Sequence, residues 1–194
     1  MSDLYLASQS PRRRELLTQI GVRFTTIDVN VPEVKECNEL PLAYVQRLSR
    51  SKAMAGAALF NDKPVLGADT IVVLQQGNKL DVLEKPKNKE HALAMLMALS
   101  GRQHQVITAV TVCQHQHCET RVNTSTVEFR PITDAQAMRY WLTGEPVDKA
   151  GAYGIQGLGA VFVRQIKGSY SSVVGLPLFE TTELLTKFNV DYWQ

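Results

Sequence analysis

A cluster of arginines stands near the start of the chain, where Arg12, Arg13 and Arg14 follow SQSP. Serine followed by proline is typical of a helix N-cap and first position, so the arginines fall in a first helical turn. That end of a helix carries partial positive charge, and three cations there are unfavourable unless an anion joins them. The backbone N–H groups, the Ser8 and Ser10 hydroxyls and the guanidinium groups could all donate to phosphate. The segment predicts a phosphate site; the alternative is solvated surface arginine, to which we assign Arg14.

A lysine interrupts the apolar face of the helix predicted over residues 41–59. On a helical wheel, one arc contains Leu42, Val45, Leu48, Ala55 and Leu59, and Lys52 lies inside that arc. A lysine that points inward needs an anionic partner or must extend its ammonium group to water. Lys52 therefore either binds a substrate phosphate or reaches solvent.

An aspartate interrupts the apolar run VLGADTIVV, which predicts a buried strand. An ionised carboxylate there is costly unless it meets a cation, a metal ion or the edge of a cleft. Asp69 is therefore a candidate general base or metal ligand, with Thr70 beside it as a hydrogen-bonding group. The alternative is a structural salt bridge.

Two further segments carry polar groups suited to a nucleotide. Glu84 and Lys85 follow a predicted hairpin, and the loop KAGAYGIQG covers residues 149–157. Lys149 supplies a cation, the glycines allow close approach of backbone to a ligand, and the Gln156 amide can pair with a base edge. A plain flexible loop is the alternative. Together with the N-terminal turn, Lys52 and Asp69, these groups suit metal-assisted attack on a phosphoanhydride.

The elements that must position these residues alternate between strand and helix. The apolar patterns and the capping residues predict strands at 4–7, 22–29, 64–74, 104–113, 119–130 and 160–166, and helices at 11–20, 41–59, 88–99, 133–142 and from about 177. Turns at QQGN and CQHQHC join neighbouring strands as hairpins. Because hairpins are mixed with strand–helix units, we predict an α/β fold with a mixed sheet flanked by helices.

Composition narrows the class of protein. A chain of 194 residues that is 44% hydrophobic fits one globular domain over residues 1–194. The formal charge of +2 argues against a dedicated nucleic-acid binder. We find no apolar run of about 18 residues and no signal-peptide layout, so we expect a cytoplasmic protein without membrane contact.

The cysteines are three in number, Cys37, Cys113 and Cys118, and we expect reduced thiols because they are too few for a disulfide framework. The segment CQHQHC also contains two cysteines and two histidines, which are the side chains that zinc sites use. No second cluster of cysteine or histidine accompanies it, so a polar turn between strands is the favoured interpretation.

Six motifs resemble the Maf family of nucleotide pyrophosphatases, in family order and at family spacing over essentially the whole chain. They are LASQSPRRRELL, RLSRSKA, VLGADTIV, EKPKN, KAGAYGIQG and GSYSSVVGLP. The resemblance implies a fold related to the inosine triphosphate pyrophosphatases, with an elongated mixed sheet and a cleft between two lobes. It also implies hydrolysis of a nucleoside triphosphate to the monophosphate and pyrophosphate, with Mg²⁺ or Mn²⁺.

The resemblance also assigns roles to residues. Asp69 corresponds to the proton acceptor that activates water, and the phosphates are bound by Ser8, Arg12, Arg13, Lys52 and Lys85. Glu33 and Glu84 are candidates for metal or water binding, although Pro32 stands where the family often has a second acid.

The substrate implied by the resemblance depends on the branch of the family. KAGAYGIQG is similar to the branch that acts on dTTP and UTP, in which Arg12, Thr70 and Gln156 correspond to specificity positions. The alternatives are hydrolysis of 7-methyl-GTP or another modified nucleotide, and a non-catalytic regulator of septum formation that binds partners. The resemblance further allows a homodimer.

Overall fold

The computed structural model describes residues 3–194. Its strands are β1 (Leu4–Leu6), β2 (Phe24–Thr26), β3 (Val65–Gln76), β4 (Lys79–Leu83), β5 (Gln103–Gln114), β6 (His117–Phe129) and β7 (Val163–Lys167). Its helices are α1 (Pro11–Gln19), α2 (Pro41–Leu59), α3 (Lys89–Leu99), α4 (Asp134–Trp141), α5 (Tyr170–Val174) and α6 (Leu178–Lys187). Three 3₁₀ turns cover Glu145–Asp148, Ala150–Ala152 and Leu158–Phe162.

The strands form one mixed sheet in the order β2-β1-β3-β5-β6-β7, with β4 paired to β3. Strand β1 is parallel to both β2 and β3, whereas β4 is antiparallel to β3 and β7 is antiparallel to β6. Strand β3 is buried along most of its length, as its apolar sequence predicts. The predicted α/β class with a mixed sheet and helices is confirmed.

Local capping signals are where the sequence predictions agree best with the structure. The Asn88 side chain accepts a hydrogen bond from the His91 N–H at 2.8 Å and starts α3. Thr133 and Gln136 form both hydrogen bonds of a capping box at the start of α4. Ser10 lies at the N-cap of α1 in an extended conformation, but its side chain accepts no capping hydrogen bond from the described residues.

Two predictions of local structure were wrong in part, and one helix was not predicted. Residues 158–162 form a 3₁₀ turn instead of the start of a strand, so β7 begins only at Val163. Helix α5 was not predicted. On α2 the expected apolar arc was right at Val45 and Leu48, which are buried, and wrong at Leu42 and Leu59, which are 48% and 67% exposed. The buried face of α2 instead includes Tyr44 and Ser49, whose polar atoms have hydrogen-bond partners.

The cysteines also differ from expectation. Cys113 and Cys118 form a disulfide, so the expectation of reduced thiols was wrong for this pair, while Cys37 is a free and exposed thiol. The two bonded cysteines lie near the facing ends of β5 and β6, where the hairpin brings their side chains together. The number of cysteines in the chain could not predict this pairing. The interpretation of CQHQHC as a turn between strands is confirmed.

The chain divides into two compact units. Unit 1 comprises the described residues up to Asp69 with Thr108–Asn123 and Gly175–Gln194; unit 2 comprises Thr70–Ile107 and Thr124–Val174. Unit 1 buries apolar side chains of β1, α2 and β3, and unit 2 contains the aromatic group Phe129, Tyr140, Tyr153 and Phe162. The single domain and the cleft between two lobes stay predictions. Within residues 3–194, none of the helices has the length and apolar character of a membrane span.

Candidate active site

The predicted site residues divide between the two units. Unit 1 contains Ser8, Ser10, Arg12, Arg13, Glu33, Lys52 and Asp69, and unit 2 contains Thr70, Glu84, Lys85, Lys149 and Gln156.

Arg13 organises the N-terminal turn of unit 1. Although it is a charged residue, it is buried, and its Nε donates to the Gly175 carbonyl at 2.9 Å. Its Nη1 donates to the Ser8 hydroxyl at 3.1 Å, and that hydroxyl also accepts from the Ser10 N–H at 3.3 Å. Burial lowers the pKa of Arg13, and the Asp69 carboxylate acts in the opposite direction. Arg13 therefore fixes the turn that carries the predicted phosphate donors.

The other two arginines of the cluster differ in exposure. Arg14 is exposed on α1, which agrees with its assignment to solvent, whereas Arg12 is half-buried. Ser8 and Ser10 are half-buried as well. The first turn of α1 therefore presents one partly accessible guanidinium group beside two serines.

Lys52 and Asp69 form the buried centre of unit 1. The Lys52 ammonium donates to Asp69 Oδ1 at 2.7 Å and lies 2.5 Å from Glu33 Oε1. The side chains of Lys52 and Asp69 are 11% and 10% exposed, and that of Glu33 is 43% exposed. Lys52 points inward, as predicted, but its partners are protein carboxylates, so its pair with Asp69 is the structural salt bridge that we named as the alternative for Asp69. Phosphate binding by Lys52 stays a prediction. The cation that a buried Asp69 requires is also present.

Burial dominates the protonation of Asp69. It raises the pKa of this carboxyl group, although the charges of Lys52 and Arg13 act in the opposite direction. A carboxylate whose pKa is raised is a stronger base than an ordinary one while it remains ionised. A raised pKa is compatible with the predicted role of Asp69 as general base, and that role stays a prediction.

Close packing of α2 against β3 brings this pair together. A Cβ atom at Gly67 would lie 2.5 Å from the Ala53 N atom and 2.6 Å from the Ser49 carbonyl oxygen. The helix thus rests on the backbone of the strand at the residue where a side chain is missing. Lys52 precedes Ala53 and Asp69 follows two residues after Gly67, so both charged residues lie close to this backbone contact.

Glu33 lies in a segment without helix or strand that α2 holds in place. Tyr44 donates its hydroxyl to the Glu33 carbonyl at 3.2 Å. Arg47 donates to the Val34 carbonyl at 2.9 Å and to both carboxylate oxygens of Glu39. The hydrogen bonds from Arg47 lower the pKa of Glu39 to about 2. Tyr44 and Arg47 were not predicted, and their spacing of three residues on α2 was the available signal.

The donor set of unit 1 fits a hard divalent cation. Glu33 and Asp69 supply carboxylate oxygens around one ammonium group, and Mg²⁺ is commonly bound by one or two carboxylates with substrate phosphates. The described residues include no group of three or more metal-ligating side chains. A cation here would therefore take its remaining ligands from substrate and water.

In unit 2, the predicted residues belong mostly to two connected loops. The Lys149 ammonium donates to the Glu145 carbonyl at 2.8 Å and to Asp148 Oδ1 at 2.7 Å, so it supports its own loop. The Gly151 N–H donates to the Glu84 carbonyl at 3.2 Å, which joins the segment of Glu84 to the glycine-rich loop. Gln156 is exposed.

Thr70 and Lys85 complete the set in unit 2. Thr70 is half-buried on β3 directly after Asp69, and Lys85 is exposed between β4 and α3.

The anchors of the glycine-rich loop were not predicted. The Glu145 carboxylate accepts hydrogen bonds from the Leu158 N–H at 2.7 Å, the Gly159 N–H at 3.0 Å and the Tyr140 hydroxyl at 2.7 Å. No pattern in the sequence marks either side chain, because the donors are mostly backbone groups more than ten residues away.

Comparison with known proteins agrees with the motifs. The family model for Maf-like proteins matches residues 3–188. A dTTP/UTP pyrophosphatase of Saccharophagus degradans is 57% identical over 197 residues, which cover 100% of this chain and 92% of that protein. A protein of the same name from Shigella sonnei is 54% identical over 190 residues, which cover 97% of this chain and 94% of its own. The solved structure of the Staphylococcus aureus Ham1 protein covers 65% of this chain and 71% of its own, with a TM-score of 0.48 and 15% identity.

All six motifs that carry the resemblance lie inside the family match, from residues 6–17 to residues 168–177. The match extends over both compact units. This chain belongs to the Maf family.

Proposed function

We propose that this chain hydrolyses dTTP and UTP between the α and β phosphates and releases the nucleoside monophosphate and pyrophosphate. The observation that carries the proposal is the buried ion pair between Lys52 and Asp69, with Glu33 on the same ammonium group. The names of the relatives at 54–57% identity support the choice of substrate.

Asp69 is the general base in this proposal. Its carboxylate orients a water molecule and takes its proton as the oxygen attacks the phosphorus atom. Burial raises the pKa of Asp69 and so strengthens it as a base, while Lys52 stabilises the ionised form. Lys52 also attracts the triphosphate, because an ammonium group in a poorly solvated site interacts strongly with anions.

In this proposal, the phosphates are bound by hydroxyl, guanidinium and ammonium donors. Those that we assign to phosphate are Ser8, Ser10, Arg12, Arg13, Lys52, Lys85 and Lys149. Arg13 has a second role, because its hydrogen bonds to Ser8 and Gly175 hold the turn in which the N-terminal phosphate donors lie. A preorganised set of donors stabilises charge on the leaving pyrophosphate without reorganisation during the reaction.

We also propose a divalent cation, Mg²⁺ or Mn²⁺, with Glu33 as its carboxylate ligand and Glu84 as a further candidate for metal or water. When bound, the cation neutralises charge on the phosphates and polarises them for attack. The nucleobase is selected in this proposal by Arg12, Thr70 and Gln156. The Gln156 amide offers both a hydrogen-bond donor and an acceptor to the edge of a pyrimidine.

The test is a nucleotide panel containing dTTP, UTP, CTP, dCTP, GTP, 7-methyl-GTP and ITP, each with Mg²⁺, with Mn²⁺ or with a chelator. Pyrophosphate and orthophosphate are measured separately. We expect metal-dependent pyrophosphate from dTTP and UTP above all others. Selective cleavage of 7-methyl-GTP would contradict the assignment of the nucleobase. If no substrate released pyrophosphate, the proposed activity would be wrong.

The proposal extends to assembly and location. We propose a homodimer that acts in the cytoplasm on free nucleotides. Sedimentation equilibrium at several protein concentrations tests the dimer, and a mass equal to the 21.6 kDa monomer throughout would contradict it. Fractionation of cells that express the tagged chain tests the location.

A further inference from the structure

The turn that carries Gln156 has a defined geometry. The Gly157 N–H donates to the Gly154 carbonyl at 3.4 Å, so Ile155 and Gln156 are the two central residues of a four-residue turn. Ile155 is buried and Gln156 is exposed. The turn therefore presents the Gln156 side chain to solvent, and its position depends on what holds the chain on either side.

Two side chains hold both ends of this turn. On the far side, Glu145 Oε2 accepts from the Leu158 N–H and Glu145 Oε1 accepts from the Gly159 N–H. On the near side, the Tyr140 hydroxyl accepts from the Gly154 N–H at 3.0 Å. Because Tyr140 also donates to Glu145 Oε1 at 2.7 Å, the three backbone groups and the two side chains form one connected network.

The glycines of the loop make room for these anchors. A Cβ atom at Gly157 would overlap the Glu145 carboxylate, and one at Gly159 would lie 2.5 Å from the Tyr140 hydroxyl oxygen. From the sequence, the glycines of residues 149–157, which include Gly157, were expected to leave space for a ligand. At these two positions, the space is taken by Glu145 and Tyr140.

The network is strong because Glu145 is charged and its anchor is rigid. Partial burial alone would raise the pKa of Glu145, but the hydrogen bonds from Tyr140, Gly159 and Leu158 lower it. Hydrogen bonds to an ionised acceptor are roughly twice as strong as those between neutral groups. The Tyr140 ring packs edge-on against Phe162 at 5.1 Å, on a helix that starts with a capping box.

We infer that Glu145 and Tyr140 are positioning residues for base selection, which fix the turn of Gln156 through the backbone of Gly154, Leu158 and Gly159. This inference rests on the proposed function, in which Gln156 contacts the base. Neither residue needs to touch the nucleotide, since each acts through the loop.

The test compares Glu145→Gln, Tyr140→Phe and Gln156→Ala, alone and in pairs. The matched controls are Glu128→Gln, whose carboxylate makes a surface ion pair with Arg164, and Tyr192→Phe. For each variant, kcat and KM are measured with dTTP, UTP and CTP, and amide hydrogen exchange is followed over residues 154–159.

In Glu145→Gln, we expect KM for dTTP to rise about tenfold, selectivity against CTP to fall, and kcat to stay within about threefold, because the lost interaction is a charge-assisted anchor. Exchange at Leu158 and Gly159 should accelerate about tenfold or more. Tyr140→Phe should show the same pattern with a smaller change. In the Gln156→Ala background, Glu145→Gln should change selectivity no further, since both substitutions remove the same contact.

Three results would overturn the inference. The first is unchanged exchange over residues 154–159 in Glu145→Gln. The second is an equal fall in kcat for all nucleotides with selectivity retained, which is the pattern of general structural damage. The third is full additivity of Glu145→Gln and Gln156→Ala. Failure of the proposed function is separate, because it appears in the unsubstituted protein as no pyrophosphate release, and hydrogen exchange still decides whether Glu145 holds the loop.

Discussion

Two carboxylates, Asp69 in unit 1 and Glu145 in unit 2, lie at the centres of polar networks that differ in their partners. Asp69 in unit 1 is buried against the Lys52 ammonium, and burial raises its pKa. Glu145 in unit 2 accepts from two amides and a hydroxyl, and these hydrogen bonds lower its pKa. The first carboxylate keeps an affinity for protons that suits a base, while the second is held ionised as a structural acceptor. Burial dominates at Asp69 and hydrogen bonds dominate at Glu145, which is why we propose the first acid as the general base and the second as a positioning residue.

Removing the cation of unit 1 should give the largest effect. Lys52→Met leaves the Asp69 carboxylate buried without its main partner, so we expect the free energy of unfolding to fall by about 3–5 kcal/mol. Urea denaturation measures it. The surface variant Lys79→Met, which breaks an exposed pair with Asp81, should change stability by less than about 1 kcal/mol. Equal losses in the two variants would mean that Asp69 does not depend on Lys52.

The second substitution removes the base itself. Asp69→Asn should lower kcat by about 100-fold or more while the chain stays folded, because general base catalysis contributes that much. Asp62→Asn, at an exposed ion pair with Lys63, is the matched control and should keep normal turnover. Near-normal turnover in Asp69→Asn would refute the role of this residue.

The same carboxylate sets the acid limb of the pH profile. Asp69 must be ionised to accept a proton, and its pKa is raised. We therefore expect kcat/KM to fall, as pH decreases, at a pH above the value of about 4 that is ordinary for aspartate. A profile that stays flat down to pH 4 would contradict the shift.

A smaller effect concerns a buried histidine of unit 2. His104 lies against Phe129 and Tyr153, and burial lowers its pKa to about 4. Since the unfolded chain binds this proton with a pKa of about 6.5, stability falls as pH decreases from about 6.5 towards 4. Between pH 7 and pH 5 we expect a loss of about 2 kcal/mol.

Urea unfolding at the two pH values measures this loss. His104→Gln should flatten the dependence in that interval, and His115→Gln, in the exposed hairpin turn, should leave it unchanged. Glu39 does not interfere, because its pKa is lowered from 4.5 to about 2, so its contribution is lost only below the interval. An unchanged slope in His104→Gln would assign the loss to other groups.

The sequence predicted those parts of the fold that depend on near neighbours. The caps at Asn88 and at Thr133 with Gln136 act over three residues, and both were located. The exposure of Leu42 and Leu59 was not predicted, because it depends on which face of α2 packs against the sheet. The disulfide between Cys113 and Cys118 likewise depends on hairpin geometry, which composition does not encode.

The site shows the same division. Lys52 and Asp69 were found because each breaks an apolar pattern, and a charge in such a position needs a partner. Glu145 and Tyr140 break no pattern, and their partners are mostly backbone amides that any sequence supplies. Gly157 was noticed as part of the loop, but the reason for it was misread, because a glycine shows that space is needed and not which group fills it.

The contact between Gly67 and α2 links the chemistry of unit 1 to the timing of its folding. Because the helix and the strand must touch at their backbones before Lys52 can reach Asp69, a chain with formed secondary structure but loose packing has no ion pair. Catalysis should therefore return late during refolding, after the far-ultraviolet circular dichroism signal has recovered. Turnover would then serve as a reporter of native side-chain packing in this half of the molecule.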